Sequence, residues 1–306
     1  MSEAHELDVV TGAFGYTGKY IARRLLDVGR RVRTITGHPH RANGFGNQVE
    51  IAPMDFSDRA GLVRSLGGAS VLYNTYWVRF DHGRATFDEA VRNSCALIQA
   101  ASEAGVRRIV HLSIANPSLD SRLPYYSGKA LVEKAIIDSG LSYTILRPTV
   151  IFGCEDILIN NIAWFARHFP VFAIPGSGRY QLQPIFVEDL AELAANSARQ
   201  ESNLVIDAVG PEVFAFEDLI REIAAAVGSN PKFIHVNPGV ALQMLRLVGP
   251  MFGDVVLTRE EIKGLMADLL VSKQPPTGRT RFSAWLAKNA VALGTKYASE
   301  LQRHYK

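Results

Sequence analysis

The stretch that decides the fold is Thr11-Gly12-Ala13-Phe14-Gly15-Tyr16-Thr17-Gly18, in which a glycine stands at every third position. It follows a short apolar run at residues 7–11 and precedes a helical pattern with Tyr20, Ile21 and Leu25 on one side. Glycines at this spacing let the chain turn sharply, approach a diphosphate closely and pack the helix against its strand. Backbone amides at the start of that helix would hold the phosphates.

This turn therefore predicts dinucleotide binding, because it has the strand before it and the helix after it that the motif requires. The alternative is that the glycines make only a strand-to-helix turn. The candidate cofactor-binding residues of the turn are Gly12, Phe14, Gly15, Tyr16, Thr17 and Gly18.

Short apolar runs and helical patterns alternate along the chain as far as residue 152. Such alternation indicates parallel strands joined by right-handed helical crossovers. We therefore predict an α/β fold for residues 1–152, a Rossmann-type doubly wound parallel sheet that forms a dinucleotide-binding domain. The predicted strands are 7–11, 31–36, 49–52, 70–74, 108–113 and 142–146.

The pattern loosens after Phe152. Residues 181–208 still contain two strand-like runs around a helix, and we expect them to return to the same sheet. Residues 153–180 and 209–306 are expected to form a smaller, mostly helical C-terminal substrate lobe. A chain of 306 residues is near the upper limit for a single hydrophobic core, which agrees with two lobes.

The composition excludes several classes of protein. With 47% hydrophobic and 21% charged residues the chain can bury a core, so general disorder is excluded. A formal net charge of +3 makes nucleic acid an unexpected partner. Cys95 and Cys154 stand singly and the eight histidines lack ligand spacing, so we expect neither a disulfide framework nor a metal site.

No apolar run approaches the length of a membrane span, so we expect no integral membrane segment. The first seven residues lack a basic region followed by an apolar run, which leads us to expect a cytoplasmic protein. Residues 240–252 are apolar and basic. We interpret them as a helix of the substrate lobe, with contact to a membrane surface as the alternative.

Tyr125 and Lys129 stand four residues apart on a predicted helix, so their side chains share a face. A nearby ammonium lowers the pKa of a phenol and makes it a better proton donor or acceptor at neutral pH. Ser113 is at the C-terminal end of the fifth predicted strand, at the sheet edge where open parallel sheets bind ligands. These three candidate catalytic residues would together polarise a carbonyl group.

The end of the second strand indicates which dinucleotide is bound. A carboxylate there would accept hydrogen bonds from the adenosine ribose, yet residues 36–41 contain none. We therefore predict NADP(H), with NAD(H) as the alternative, and His38 and Arg41 as candidate contacts to the 2′-phosphate. Asp55, after the third strand, is expected either to meet adenine or to cap the helix that begins at Arg59.

The chain resembles the short-chain dehydrogenases/reductases of the extended or atypical type, close to the NmrA-like and complex I accessory subunit-like groups. The resemblance spans almost the whole chain. It is carried by the glycine turn, Asn74, Ser113, Tyr125 to Lys129, and Leu146-Arg147-Pro148-Thr149-Val150-Ile151-Phe152-Gly153.

In this family the tyrosine is the general acid/base, and the lysine binds the nicotinamide ribose and lowers the tyrosine pKa. The serine orients the substrate. The resemblance implies these roles for Tyr125, Lys129 and Ser113. It also implies that the step Arg147-Pro148 borders the nicotinamide, so that Asn74 and Pro148 join the candidate cofactor-binding residues.

The sequence departs from the family pattern after the fourth strand, where Asn74-Thr75-Tyr76-Trp77-Val78-Arg79-Phe80 is unusually aromatic. We hypothesise that Tyr76, Trp77 and Arg79 line the substrate site, with Arg79 facing an anionic group; the alternative is an aromatic shelf under the lobe. Asn93 resembles the family's helix asparagine.

These features predict an NAD(P)-dependent oxidoreductase that moves hydride to or from a carbonyl or carbinol carbon of a small-molecule substrate. One alternative is a nucleotide-sugar epimerase or dehydratase on the same scaffold. Another is a non-catalytic redox sensor or assembly protein, because NmrA-like relatives often lack the tyrosine. The sequence does not identify the substrate, and the protein is expected to be a monomer or homodimer.

Overall fold

A computed structural model describes residues 6–304, with the backbone alone at 247, 248, 250–252 and 304. Its strands are β1 (Leu7–Thr11), β2 (Arg31–Thr36), β3 (Val49–Pro53), β4 (Ala69–Asn74), β5 (Arg108–Leu112), β6 (Ser142–Pro148), β7 (Ile151–Phe152), β8 (Val171–Pro175), β9 (Gln181–Leu182), β10 (Ile185–Phe186), β11 (Leu204–Ala208), β12 (Phe214–Ala215) and β13 (Lys232–Val236).

The helices alternate with these strands in the first half of the chain and predominate in the last third. They are α1 (Tyr16–Asp27), α2 (Arg59–Leu66), α3 (Phe87–Glu103), α4 (Pro124–Asp138), α5 (Leu158–His168), α6 (Val187–Ser197), α7 (Phe216–Ala226), α8 (Pro238–Phe252), α9 (Arg259–Met266), α10 (Phe282–Asn289) and α11 (Glu300–His304).

Seven strands form one sheet in the order β11-β6-β5-β4-β1-β2-β3. Every neighbouring pair in this sheet is parallel. The order β3-β2-β1-β4-β5-β6 is that of the dinucleotide-binding doubly wound fold, with β11 added at one edge. The predicted Rossmann-type α/β fold is therefore confirmed.

The sheet is buried because helices cover both of its faces. All five residues of β1 and all five of β5 are buried, as expected of central parallel strands. One face contributes to a cluster shared with α2, α3 and α4. The strand members of that cluster include Val9, Ile35, Leu72, Ile109 and Ile145.

The chain divides into two compact units, of which the first comprises residues up to Pro148 together with Val187–Ala208. Helix α6 and strand β11 thus return to the large sheet, and β11 pairs in parallel with β6. Residues 181–186 do not, which corrects the expectation for that part of 181–208. Their short strands β9 and β10 pair instead with β12 and β7 of the second unit.

Gln183 explains why these residues stay out of the large sheet. Its buried side chain donates to the carbonyl of Gly210 at 2.8 Å and accepts from the amide of Ser272 at 3.1 Å. Pro184 follows it and offers no amide hydrogen to a ladder. The strand-like run is therefore broken into two-residue pieces that are anchored within the second unit.

The second unit comprises Thr149–Phe186 and the chain from Val209 onward. Its strands form three two-stranded sheets, β7 with β10, β9 with β12 and β8 with β13. Phe152 is at the centre of its core, with ring centroids 5.1 Å from Phe282 and 5.2 Å from Trp285. Within the described residues, no helix has both the length and the hydropathy needed to cross a membrane.

Helix α8 contains the apolar segment 240–252 for which the sequence left a membrane-surface contact open. The exposed side chains at its start include Val240 and Met244. Five of the side chains near its end lie outside the described part of the chain. The membrane-surface alternative therefore stays a prediction.

A buried ion pair lies at the amino end of the sheet. The carboxylate of Asp8 is fully buried and accepts two hydrogen bonds from Arg30, at 2.8 Å from Nε and 2.7 Å from Nη2. Burial raises the pKa of Asp8, and Arg30 opposes that rise. Because the Asp8 carboxylate is removed from water, the folded protein needs the guanidinium of Arg30 to stabilise its charge.

We expect Arg30→Met to lower the free energy of unfolding by about 3–5 kcal/mol, since it leaves a buried carboxylate without its guanidinium. Urea denaturation followed by circular dichroism measures the loss. Arg31→Met is the matched control, because Arg31 is 58% exposed and its ion pair with Glu50 is worth about 1 kcal/mol or less. Equal losses in the two variants would contradict this role of Arg30.

Candidate active site

The glycine turn between β1 and α1 is tightly folded. Gly12 adopts a φ of 62° and donates its amide to the carbonyl of Ile35 at 3.1 Å. The amide of Gly15 donates back to the carbonyl of Gly12 at 2.8 Å. A Cβ on Gly18 would lie 2.4 Å from that same carbonyl oxygen, so only glycine lets the helix approach the turn this closely.

The start of α1 is open to an anion. Gly15 is its N-cap, and no side chain in residues 6–304 caps it with a hydrogen bond. Orphan amides and the positive end of the helix dipole favour a phosphate at such a helix start. Phe14, Tyr16 and Thr17 beside the turn are half-buried. The residues present therefore fit a dinucleotide diphosphate.

The loop after β2 is free of carboxylates, as predicted, and lies at the surface. His38 is exposed and Arg41 is half-buried. The amide of His38 donates to Thr36 Oγ1 at 3.0 Å, and the amide of Arg41 donates to the carbonyl of His38 at 3.1 Å. These bonds make a compact turn that places both basic side chains next to the carboxyl end of β2.

Asp55 does not cap α2, which corrects one of its two predicted roles. Its carboxylate accepts from the amide and the hydroxyl of Ser57, at 2.8 and 2.6 Å, and these bonds lower the pKa of Asp55. Asp58 is the residue that caps the helix, through the amide of Gly61 at 2.8 Å. The predicted contact between Asp55 and adenine stays a prediction.

Asn74 links the carboxyl ends of β4 and β1. The side chain is fully buried, and Oδ1 accepts from the amide of Tyr76 at 3.0 Å. Thr75 completes the link, because its amide donates to Thr11 Oγ1 at 2.7 Å. Asn74 Nδ2 has no hydrogen-bond partner among the described residues. Asn74 therefore shapes the chain beside the glycine turn.

Lys129 is almost fully buried, with 3% of its surface exposed. Its ammonium donates to the carbonyl of Leu112 at 2.8 Å and lies 4.4 Å from the centroid of the Trp77 ring. Burial lowers the pKa of Lys129 from 10.5 to about 7, and the negative charge of Glu133 partly opposes that shift. The lysine charge is therefore only partly present at neutral pH.

Tyr125 is half-buried within a group of aromatic rings. Its ring centroid lies 5.9 Å from Trp77, 5.7 Å from Phe87 and 5.6 Å from Tyr126. Trp77 thus touches both members of the predicted tyrosine–lysine pair. Of the predicted substrate-site residues, Trp77 is the one that the structure brings to this pair.

Tyr76 and Arg79 have other neighbours. The hydroxyl of Tyr76 accepts a hydrogen bond from Asn93 Nδ2 at 2.9 Å, and burial raises the pKa of Tyr76. The guanidinium of Arg79 lies 5.6 Å from the ring of Phe80. The roles proposed for Tyr76 and Arg79 in substrate binding stay predictions.

Ser113 has a partner that sequence reasoning missed. Its hydroxyl donates to Glu133 Oε1 in a short hydrogen bond, and both residues are buried. Arg147 holds the same carboxylate with two bonds, 3.1 Å from Nε to Oε1 and 2.6 Å from Nη2 to Oε2. The spacing Lys129 to Glu133 puts both residues on one face of α4, and this is the signal that could have indicated Glu133.

Two further buried residues, Pro148 in β6 and His111 in β5, lie in the strands next to these groups. Pro148 is buried at the end of β6 and its carbonyl accepts from the amide of Ala115 at 2.8 Å. His111 is fully buried in β5, and burial together with the charge of Lys129 keeps the pKa of His111 well below its usual value. Sequence reasoning gave His111 no role.

Metal binding has no site in the described part of the chain. There, no group of three or more His, Cys, Asp or Glu side chains could hold a metal ion.

Comparison with known proteins agrees with this geometry. A family model described as NAD(P)H-binding matches residues 12–153, a segment that begins at the first glycine of the turn. Residues 12–153 thus match a family of NAD(P)H-binding domains, and the relatives and the fold make the chain similar to NAD(P)-binding proteins of the atypical, extended short-chain dehydrogenase/reductase type. The resemblance seen in the sequence is confirmed.

Curated proteins of two kinds are among its relatives. One is NADH dehydrogenase (ubiquinone) 1 alpha subcomplex subunit 9, mitochondrial, from Arabidopsis thaliana, 23% identical over 86% of this chain and 70% of the relative. The mouse protein of that name is 27% identical over 68% of this chain and 55% of its own length. The other is (4-alkanoyl-5-oxo-2,5-dihydrofuran-3-yl)methyl phosphate reductase from Streptomyces griseus, 25% identical over 93% of this chain and 98% of the relative.

A solved structure shows the same fold. Triphenylmethane reductase from Citrobacter sp., complexed with NADP(H), superposes with a TM-score of 0.73. The match covers 94% of this chain and all of that one, at 17% sequence identity.

The buried lysine predicts how stability depends on pH. The pKa of Lys129 is about 7 in the folded protein and 10.5 in the unfolded chain. At pH values between these two, the lysine binds more protons in the unfolded chain than in the folded protein. Stability should therefore rise from pH 7 to pH 10, by at most about 1.4 kcal/mol per pH unit from this group.

Lys129→Met should flatten this rise, as measured by urea denaturation at pH 7, 8, 9 and 10. Lys134→Met is the control on the same helix, since Lys134 is 59% exposed and pairs with Asp138. A slope that Lys129→Met leaves unchanged would show that the ammonium is not buried as described.

Proposed function

We propose that the protein is an NADP(H)-dependent oxidoreductase that moves hydride between the nicotinamide and a carbonyl or carbinol carbon, with Tyr125 as proton donor or acceptor. The observation that carries this proposal is a convergence at one edge of the sheet. The open glycine turn follows β1, Asn74 ends β4, and Ser113 follows β5. Open parallel sheets bind their ligands beyond this edge.

The cofactor, when bound, supplies or accepts the hydride. The part of the chain that would hold its diphosphate is the start of α1, where the N-cap residue Gly15 provides no side chain to cap the helix. His38 and Arg41 offer donors to a 2′-phosphate, and residues 36–41 contain no carboxylate to repel it. This combination supports NADP(H) over NAD(H).

Tyr125 would hold and move the proton. Lys129 is one turn further along α4, and its positive charge stabilises a phenolate more than a phenol. Since the pKa of Lys129 is about 7, this support strengthens as pH falls toward and below neutrality. The aromatic rings around Tyr125 exclude water from its apolar face.

Ser113 would contact the substrate oxygen as a hydrogen-bond acceptor. A serine hydroxyl carries one proton, and here that proton goes to Glu133. The serine oxygen is then left with lone pairs, so it accepts a hydrogen bond from a ligand hydroxyl. This arrangement favours the carbinol form of a substrate at Ser113, whereas the sequence suggested donation to a carbonyl.

Tyr125→Phe tests the proton-transfer role. We expect turnover to fall by at least about 100-fold, because the general acid/base is lost. Affinity for NADPH should stay within about twofold, since the ring and its packing remain. Calorimetric titration measures binding, and a panel of carbonyl and alcohol substrates followed at 340 nm measures turnover.

Tyr126→Phe is the matched control, since it removes the neighbouring hydroxyl and should keep turnover. Undiminished activity in Tyr125→Phe would refute the assigned role. Calorimetric titrations of the unaltered protein with NADH, NADP and NAD, beside that with NADPH, define its cofactor preference.

Arg41→Ala tests the choice of cofactor. Loss of a charged donor to the 2′-phosphate should weaken NADPH binding by about tenfold or more and leave NADH binding nearly unchanged. His40→Ala is the control, because His40 is exposed in the same loop and has no proposed contact. Equal weakening of NADPH and NADH by Arg41→Ala would contradict the assignment.

A second function is favoured by one observation, the burial of Lys129 under Trp77. A protein whose lysine stays covered would bind the dinucleotide without turnover, as a redox sensor or an assembly subunit. Strong binding with no conversion across the substrate panel would support it. A nucleotide-sugar epimerase or dehydratase would instead retain its cofactor tightly and show no net consumption.

A further inference from the structure

Trp77 stands in an unusual position for a large side chain, three residues beyond the end of β4 and directly against α4. A Cβ on Gly128 would lie 3.1 Å from Cη2 of the indole, so a glycine on α4 is what lets the ring approach the helix. From there the ring reaches the next residue of the helix. Its centroid lies 4.4 Å from the Lys129 ammonium.

The ammonium of Lys129 has little room for another partner. One donor goes to the carbonyl of Leu112, and the residue is 3% exposed. A ribose hydroxyl must come within about 3 Å of Nζ to form a hydrogen bond. Trp77 therefore has to leave its place before a nucleotide can reach this lysine.

Trp77 is held by aromatic rings, by one charge and by the apolar core cluster of the first unit, against which it packs. Phe87 stacks on it at 6.3 Å, and Tyr125 meets it edge-on at 5.9 Å. The buried indole Nε1 has no hydrogen-bond acceptor anywhere in the described chain, although a buried tryptophan usually finds one. No polar bond has to be broken among these residues when the indole moves.

We propose that Trp77 is a lid on Lys129 that competes with the dinucleotide for the lysine charge. This inference rests on the proposed dinucleotide binding and adds a step to it. In the closed state the aromatic face takes the place of the ribose hydroxyls. Binding of the nicotinamide half of the cofactor displaces the indole and breaks the contact between Trp77 and Lys129. The free energy of that contact is lost, and the affinity for the cofactor is lowered by the same amount.

Removing the lid should therefore strengthen cofactor binding. Trp77→Ala is expected to bind NADP or NAD about 10- to 30-fold more tightly, the range that a desolvated cation–π contact represents. Phe87→Leu is the matched control, because it removes a ring that touches Trp77 and Tyr125 but has no described contact with the Lys129 ammonium. We expect Phe87→Leu to change affinity by less than about threefold. Calorimetric titration measures all three proteins.

The gain should also depend on the lysine. In a Lys129→Met background, Trp77→Ala should no longer tighten binding, because there is no charge for the lid to cover. A gain of the same size without the lysine would mean that Trp77 only fills space, and would overturn the proposal.

A second measurement does not need the alanine variant to fold. The fluorescence of the unaltered protein minus that of Trp77→Phe reports the indole at position 77. Saturation with oxidised NADP should shift this difference spectrum to longer wavelength, as the half-buried ring becomes more exposed to water. A saturated protein whose difference spectrum is unchanged would overturn the lid.

The outcomes separate this inference from the function on which it rests. Binding of equal strength in the unaltered protein and Trp77→Ala would overturn the lid and leave dinucleotide binding intact. Binding detected in Trp77→Ala alone would support the lid. If neither protein binds any of the four nucleotides, both the lid and the proposed function fail.

Discussion

A seven-stranded parallel sheet, whose central strands are buried on both faces, is the constraint on which the rest of the first unit depends. A buried parallel sheet can place polar groups for a ligand only where its strands end, because helices cover everything between. In this protein the glycine turn and Ser113 follow the carboxyl ends of β1 and β5, and Asn74 is the last residue of β4. At the opposite end of the strands, Asp8 and Arg30 form a buried ion pair in which the two charges neutralise each other.

Two buried charges on one face of α4 are stabilised in different ways, and this sets the chemistry of the candidate site. Glu133 has Arg147 and the hydroxyl of Ser113 as partners. Lys129 has a backbone carbonyl and an aromatic face, and its pKa is about 7. The site thus contains a carboxylate with fixed bonds and an ammonium whose charge responds to pH and to the position of Trp77.

The features that sequence reasoning identified correctly depend on residues close together in the chain. The glycine spacing acts through one turn and one helix, and the alternation of strands and helices leaves little choice of topology. For Asp55 two roles were predicted, contact with adenine or the cap of α2, and Asp58 takes the cap because it is directly before the helix. The partners of Ser113 were missed because Glu133 and Arg147 come from two other elements, and sequence spacing does not show which side chains meet across a fold.

The amino-acid sequence by itself determined the parallel α/β fold, the glycine turn and the set of residues that end the strands. These follow from periodicity and from the backbone freedom of glycine, both of which act locally. Only the tertiary structure decided that residues 181–186 join the second unit, that Ser113 gives its proton to Glu133, and that Trp77 covers Lys129. Each of these depends on contacts between distant parts of the chain, where burial and available partners outweigh local preference.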